Sequence, residues 1–245
     1  MQVILDVENN VTKRDGKTHL DPFEPDNKLV MVGFIVNGRE YLYRTDDVNV
    51  SYHAEIQSIL NKNRQIGIWS CLTNNTIAEI ISVTGFDWSV IDMEHSPNDI
   101  QEVLTQLQVM EGYNTEPVVR VPWNEPVMVK RILDMGAQTI LYPFVQNQQE
   151  AKAAVEATRY PPKGIRGVMS AARMNRYGHI QNYYKEAEKE ICVLIQCETK
   201  EAIKNIPEIA KIDGIDGIFI GPSDLSSSIG KIGQFEDKEV QDLIY

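Results

Sequence analysis

Cysteine is scarce in this 245-residue chain: the three are Cys71, Cys192 and Cys197. They make neither a C-x-x-C pair nor an even framework, which excludes a disulfide scaffold and argues against a cysteine zinc site. Each stands in an apolar, strand-like run, so all three read as buried thiols acting as small hydrophobes. Basic residues are outnumbered, with 24 Lys+Arg against 35 Asp+Glu and a formal charge of -11. That balance disfavours broad contact with nucleic-acid backbones or anionic membranes. No apolar run approaches the roughly 18 to 20 residues of a membrane span. The N-terminus lacks the basic and apolar regions of a signal peptide, so the expected location is the cytoplasm. What remains, 42% hydrophobic and 24% charged residues with only 8% aromatics, is an ordinary globular composition. The length is close to the roughly 250 residues at which one eight-fold β/α barrel closes.

From about Gln65 onward, short β-rich runs alternate with amphipathic helical stretches, the pattern of β-α units and a parallel sheet. The runs are Ile66 to Leu72, Trp88 to Met93, Pro117 to Val121, Thr139 to Val145, Ile191 to Cys197 and Gly217 to Gly221, six strands in all. Between them, Ser96-Pro97-Asn98-Asp99 opens a helix with a capping serine, and Asn124-Glu125-Pro126 opens another that stops at Gly136. Gln148 to Thr158 and Thr199 to Ala210 are further helices. A polar, basic stretch from Lys163 to about Gly178 reads as a long loop that covers a site or is disordered. The first fifty residues differ. Val3 to Leu5 and Val30 to Val36 read as strands, Asn37-Gly38 is a hairpin signal, and Arg39 to Tyr43 alternates as the returning strand. An antiparallel β meander is expected here, then a helix from Tyr52 to Leu60, with a boundary near Val48 to Tyr52.

In a parallel β/α barrel, active sites stand at the C-terminal strand ends. Those ends are polar in this sequence: Asp92-Met93-Glu94-His95, Arg120, Gln196-Cys197-Glu198 and Gly221-Pro222-Ser223-Asp224. Strand alternation turns Gln196 and Glu198 the same way, with Ile195 and Cys197 facing the other layer; the same parity pairs Asp92 with Glu94. Glu198 and Asp224, at consecutive strand ends, suit one hard divalent cation with open water positions, although either acid alone reads equally as a helix cap. His95 reads as a structural histidine or as a general base oriented by Asp134. Arg120 offers a planar fork for a carboxylate or enolate oxygen, or else an ion pair with Glu94 or Asp92. No strand ends in lysine, which disfavours a Schiff base.

Five runs, taken together, resemble the HpcH/HpaI aldolases. They are Gly85 to Asn98, Pro117 to Arg120, Tyr160-Pro161-Pro162-Lys163-Gly164-Ile165-Arg166-Gly167, Gln196 to Thr199 and Gly221 to Ser226. The resemblance runs from about Ser58 to the C-terminus. It implies a class II aldolase that reversibly cleaves a 4-hydroxy-2-oxoacid to pyruvate and an aldehyde through a metal-stabilised pyruvate enolate. It also implies Glu198 and Asp224 as ligands of Mg²⁺ or Mn²⁺ (or Co²⁺), His95 with Asp134 as the base dyad, and Arg120 on the 2-keto oxygen. Gln196, Ser223 and Asp224 would line the substrate, and the family forms homo-oligomers. A malyl- or citryl-CoA lyase-like reaction is the second expectation within the enzyme class.

The fold expected is therefore α/β: an incomplete (β/α)8 TIM barrel with six of eight strands in residues 51–245, truncated at its C-terminus and preceded by the small antiparallel meander of residues 1–50. Such a fragment would leave two parallel edge strands unpaired. The run Leu5-Asp6-Val7-Glu8-Asn9, a D-x-E on a strand, and Asp21-Pro22-Phe23-Glu24-Pro25 resemble the start of a DnaQ-like 3′–5′ exonuclease domain of a phage-type DNA polymerase. Its remaining acids would fall in the aldolase-like part, so no nuclease activity is expected. An exonuclease module and an inactive chimera are the readings opposed to the aldolase.

Overall fold

The computed structural model describes residues 65–244 throughout, together with the backbone of five short strands within the first 43 residues. Six parallel strands run in chain order through residues 65–244: β6 (Gly67–Ser70), β7 (Trp88–Asp92), β8 (Glu116–Arg120), β9 (Thr139–Tyr142), β10 (Cys192–Cys197) and β11 (Gly217–Ile220). They are hydrogen-bonded in the order in which they occur, as successive right-handed β-α units dictate. Helices α1 (Asn75–Val83), α2 (Ile100–Met110), α3 (Pro126–Asp134), α4 (Gln148–Thr158), α5 (Tyr183–Glu190), α6 (Lys200–Ile209), α7 (Pro222–Ser228) and α8 (Lys238–Ile244) complete this part. It is the wall of an incomplete β/α barrel.

Local chemistry places the helix starts. Asn74 caps α1 by accepting from the N–H groups of Thr76 and Ile77, and Glu125 caps α3 ahead of Pro126 in the same way. Helix α2 begins three residues later than expected. Asp99 and Glu102 form the capping box, while Ser96, the expected cap, donates its hydroxyl to the Asp92 carbonyl at 2.5 Å. Gly136, at φ 93°, turns the chain out of α3.

Strand alternation produces two apolar layers. Ile91, Val119, Ile140, Ile195, Cys197 and Ile218 face outward onto Leu107, Ile132, Leu133 and Val155 of the helices. Val90, Val118, Leu141, Cys192, Leu194 and Phe219 face inward, where Trp69 and Trp88 pack against them. The wall curls far enough that Phe219 of β11 meets Trp69 of β6 and Trp88 of β7 edge to face, at 5.9 and 6.5 Å between centroids.

Several expectations change. Cys71 is exposed just beyond β6, whereas Cys192 and Cys197 are buried. The Lys163 to Gly178 stretch is tied down rather than open: Asn175 donates to the Ser170 carbonyl and accepts from the N–H groups of Ala172 and Gly178. Near the N-terminus the hairpin around Asn37-Gly38 forms as read, β4 (Val32–Val36) against β5 (Arg39–Tyr43). A second ribbon joins β2 (Thr12–Arg14) to β3 (Lys17–His19). Strand β1 (Gln2–Leu5) is not part of an antiparallel meander. It pairs in parallel with β11, from Gln2 opposite Gly217 to Leu5 opposite Ile220, and so covers an edge that was expected to be bare. The expected helix at Tyr52 to Leu60, the boundary near Val48, and the acids Asp6, Glu8, Asp21 and Glu24 lie outside the described residues.

Candidate active site

The register that sets Asp92 of β7 beside Arg120 of β8 places both on the inward face at the C-terminal end of the wall. Arg120 donates from Nε and Nη2 to the two Asp92 oxygens, each at 2.8 Å, and its Nη1 lies 2.9 Å from Glu94 Oε2. The side chains of Arg120 and Asp92 are only 8% and 2% exposed. A buried bidentate pair of this kind fixes the plane of the guanidinium. Trp69 lies under it, with its ring centroid 4.3 Å from Arg120 Cζ. Burial alone would raise the Asp92 pKa, but the Arg120 hydrogen bonds and charge and the N–H groups of Glu94 and His95 outweigh it and hold the carboxyl below its usual value. For Glu94 the balance is reversed. Burial, with Asp92 and Asp224 nearby, raises its pKa despite Arg120 and His95.

A buried polar chain supports this turn from below. Asn98 Nδ2 donates to the carbonyls of Asp92 and Ser70 at 2.9 and 3.0 Å. Asn98 Oδ1 accepts from Gln106 Nε2 at 2.8 Å, and Gln106 Oε1 accepts from Ser70 Oγ at 2.7 Å. Each of these side-chain groups finds a partner, so the network rigidifies the strand end at little desolvation cost.

Two strands away, β10 presents Gln196 and then Glu198, which is 1% exposed. Glu198 Oε1 accepts the backbone N–H of Phe144 at 2.7 Å, and Oε2 accepts from Gln196 Nε2 at 2.7 Å. Burial is the main reason that the Glu198 carboxyl is pushed up to about 7; Glu94 and Asp224 add to the rise, and the Phe144 N–H and Arg120 oppose it. Gln196 Oε1 is buried with no hydrogen-bond partner. A Cβ at Gly221 would come within 2.7 Å of Glu198 Oε2 and 2.9 Å of Gln196 Nε2, so the missing side chain keeps this cradle open. Asp224, in the first turn of α7, is exposed, and its charge acts on both Glu94 and Glu198.

This is a fitting donor set for a hard cation. The carboxylates of Glu198 and Asp224 and the orphaned buried Gln196 Oε1 stand at one mouth, and the Glu198 pKa is raised chiefly by burial. Among the described residues no cluster of three or more His, Cys, Asp or Glu is preassembled, so such an ion would rest on Glu198 and Asp224 with oxygen ligands from outside the chain.

Of the residues singled out from sequence, Arg120, Gln196, Glu198, Ser223 and Asp224 stand at this mouth. His95 does too, with its side chain 64% exposed and Nε2 3.8 Å from Glu94 Oε1. Asp134 does not join His95 within the chain. It ends α3, which runs back along the wall away from the Arg120 end, and there it accepts from Nη2 of the fully buried Arg166 at 3.1 Å. Of the two sequence-based readings of Arg120, the ion pair is present, with both Asp92 and Glu94. Two of its N–H groups, on Nε and Nη2, are hydrogen-bonded to Asp92, while Nη1 faces Glu94 Oε2 as an ion pair. Sequence reasoning missed the Phe144 N–H, Trp69 and the Asn98–Gln106 support. Gln106, a polar residue on the buried face of α2, was the one visible signal.

Residues 65–244 match the family model described as HpcH/HpaI aldolase/citrate lyase. Over 178 residues the chain is 53% identical to a 4-hydroxy-2-oxo-heptane-1,7-dioate aldolase of Escherichia coli, covering 72% of this chain and 68% of that one. The protein of the same name from Salmonella heidelberg is 54% identical over the same shares. Among solved structures, an HpcH/HpaI aldolase/citrate lyase family protein from Burkholderia cenocepacia superposes with a TM-score of 0.72 at 36% identity, covering 74% of this chain and 72% of that one. An HpcH/HpaI aldolase from Desulfitobacterium hafniense gives a TM-score of 0.70 at 28% identity, with 76% and 73% covered.

Proposed function

The chain belongs to the HpcH/HpaI aldolase/citrate lyase family, and on that premise we propose that its barrel mouth reversibly cleaves a 4-hydroxy-2-oxoacid to pyruvate and an aldehyde. The observation that carries this reading is the convergence on one mouth of a cation cradle and an anchored arginine fork. Glu198 and Asp224 would hold the divalent ion, Mg²⁺ or Mn²⁺ by the hardness of its oxygen donors. When bound, that ion supplies Lewis acidity toward the oxygens of a 2-oxoacid.

The chain's own groups do the rest. Arg120 directs N–H groups not bonded to Asp92 at the 2-keto oxygen, where negative charge grows as C3 becomes nucleophilic. Because Asp92 and Glu94 already fix the guanidinium, little reorganisation accompanies that change. His95, the exposed imidazole of the same turn, moves the proton between C3 or the 4-hydroxyl and solvent. Gln196 and Ser223 line the substrate on the side of Glu198. The 4-hydroxy-2-oxo-heptane-1,7-dioate of the named relatives is the substrate to assay first. Substrate and product are small molecules, and the reading places the enzyme in the cytoplasm; among the described residues no helix is long and apolar enough to cross a membrane.

Exchange of pyruvate C3 protons with deuterated water, followed by NMR, tests the reading. Added Mn²⁺ or Mg²⁺ should stimulate the exchange and Glu198→Ala should abolish that stimulation. Exchange that ignores both the metal and the substitution would refute it.

A further inference from the structure

Phe144 follows β9 with φ at 53°, a left-handed backbone region that a bulky side chain occupies only where its surroundings hold it there. The N–H exposed by this turn is the one that reaches Glu198 Oε1 at 2.7 Å. Burial of the ring does not account for the conformation, because Phe144 and its neighbour Trp123 are 40% and 55% exposed. The contacts that hold the turn are specific. The two rings stack with centroids 5.8 Å apart and planes at 27°. The next residue, Val145, donates its N–H to the Gln196 carbonyl at 3.2 Å, and Gln146 Nε2 donates back to the Phe144 carbonyl at 3.3 Å. The Gln146 carbonyl in turn accepts from Asn205 Nδ2 at 2.8 Å. The turn is thus tied to β10, which carries Glu198, and to the helix that follows it.

We propose that Phe144 is a positioning residue for Glu198: its left-handed turn, latched by the Trp123 stack, aims a backbone N–H at Oε1 and fixes the orientation in which the carboxylate meets a divalent cation. The inference rests on the metal reading above and adds to it a group whose side-chain identity matters only through the backbone. A substitution that keeps the left-handed turn available should therefore keep the site, and one that forfeits both the stack and that freedom should not.

The test is a titration of the whole chain with Mn²⁺, counting free ion by its EPR signal, with circular dichroism and thermal melts as checks on folding. Phe144→Ala has neither the ring that latches the turn nor glycine's freedom to adopt it, and should weaken Mn²⁺ about tenfold, as loss of a partner behind a metal ligand does. Phe144→Gly should recover the affinity to within about threefold, since glycine enters the left-handed region without a steric penalty. Trp123→Ala should weaken Mn²⁺ in the same direction as Phe144→Ala, and it carries the comparison if Phe144→Ala does not fold. Glycine binding as weakly as alanine would assign the effect to the ring and overturn the proposal. So would wild-type affinity in Phe144→Ala, or in Trp123→Ala if that variant stands in for it. Failure of the unsubstituted chain to bind Mn²⁺ would instead overturn the metal reading itself, and this inference with it.

Discussion

Glutamine in place of Glu198 should stabilise the metal-free protein while destroying its site. The Glu198 carboxyl is pushed from 4.5 to about 7, chiefly by burial. The folded state therefore binds this proton more tightly than the unfolded chain does, and stability falls as pH rises from the unfolded value through the folded one. At 1.36 kcal/mol per tenfold change in acidity, the full penalty above pH 7 is about 3 kcal/mol. Glu198→Gln removes the charge at constant shape. Its carbonyl oxygen can still accept the Phe144 N–H, and a half-turn of the Gln196 amide would bring the orphaned Oε1 round to face the new NH₂. In EDTA at pH 8 the variant should be more stable than the parent by up to about 3 kcal/mol, or about 6 to 12 °C in melting temperature for a chain of this size. Near pH 4, where the parent carboxyl is protonated in both states, the difference should vanish. Urea melts of both proteins from pH 4 to 8.5 measure it, and Mn²⁺ titration should show the accompanying loss of binding. A stability difference that does not change with pH, or a variant less stable than the parent at pH 8, would refute the argument from burial.

Two further outcomes follow from the same geometry. Gly221→Ala drives a methyl group to 2.7 Å from Glu198 Oε2 and should reduce Mn²⁺ affinity about tenfold by displacing a group that orients the ligand, as calorimetry would show. Gln106→Leu strands the Asn98 Oδ1 acceptor and the Ser70 hydroxyl in a dry interior and should destabilise the fold by about 2 to 4 kcal/mol, read from urea melts.

How much of this was legible in the sequence depends on the kind of interaction. The β/α alternation was, because short apolar runs, buried on both faces, stand between longer amphipathic stretches with their own caps. Parity also placed Gln196 and Glu198 together and set Cys197 in the other layer, as the structure has it. Parity could not choose between Asp92 and Glu94 as the partner of Arg120, since both share its face; the guanidinium takes both. Two helices and a strand separate His95 from Asp134, and within the chain α3 carries Asp134 to Arg166, a placement the sequence pattern does not print. Helix α5 went unread because only Ala187 in it is buried, too little to print a period. Cys71 sits one residue past the end of β6, where an apolar run continues in sequence but the sheet does not cover it. The pairing of Gln2–Leu5 with β11 was hidden for another reason: alternation marks a strand but does not name its neighbour. The role of the Phe144 N–H had no sequence signature, because a backbone donor carries no residue type.

The placement of Trp69 under Arg120 makes the protein its own optical instrument. An indole 4.3 Å from a guanidinium carbon emits in a field set by that cation. An anion that occupies the remaining N–H groups of Arg120 changes the field at the ring, so occupancy of the mouth is written into ultraviolet fluorescence without any label. Trp123, stacked on Phe144, reports in the same spectrum on the turn that faces Glu198. Trp88, in edge contact with Phe219, lies in the interior layer and supplies a reference for the wall itself. The three indoles of this chain thus stand at the arginine fork, the carboxylate's turn and the inner layer.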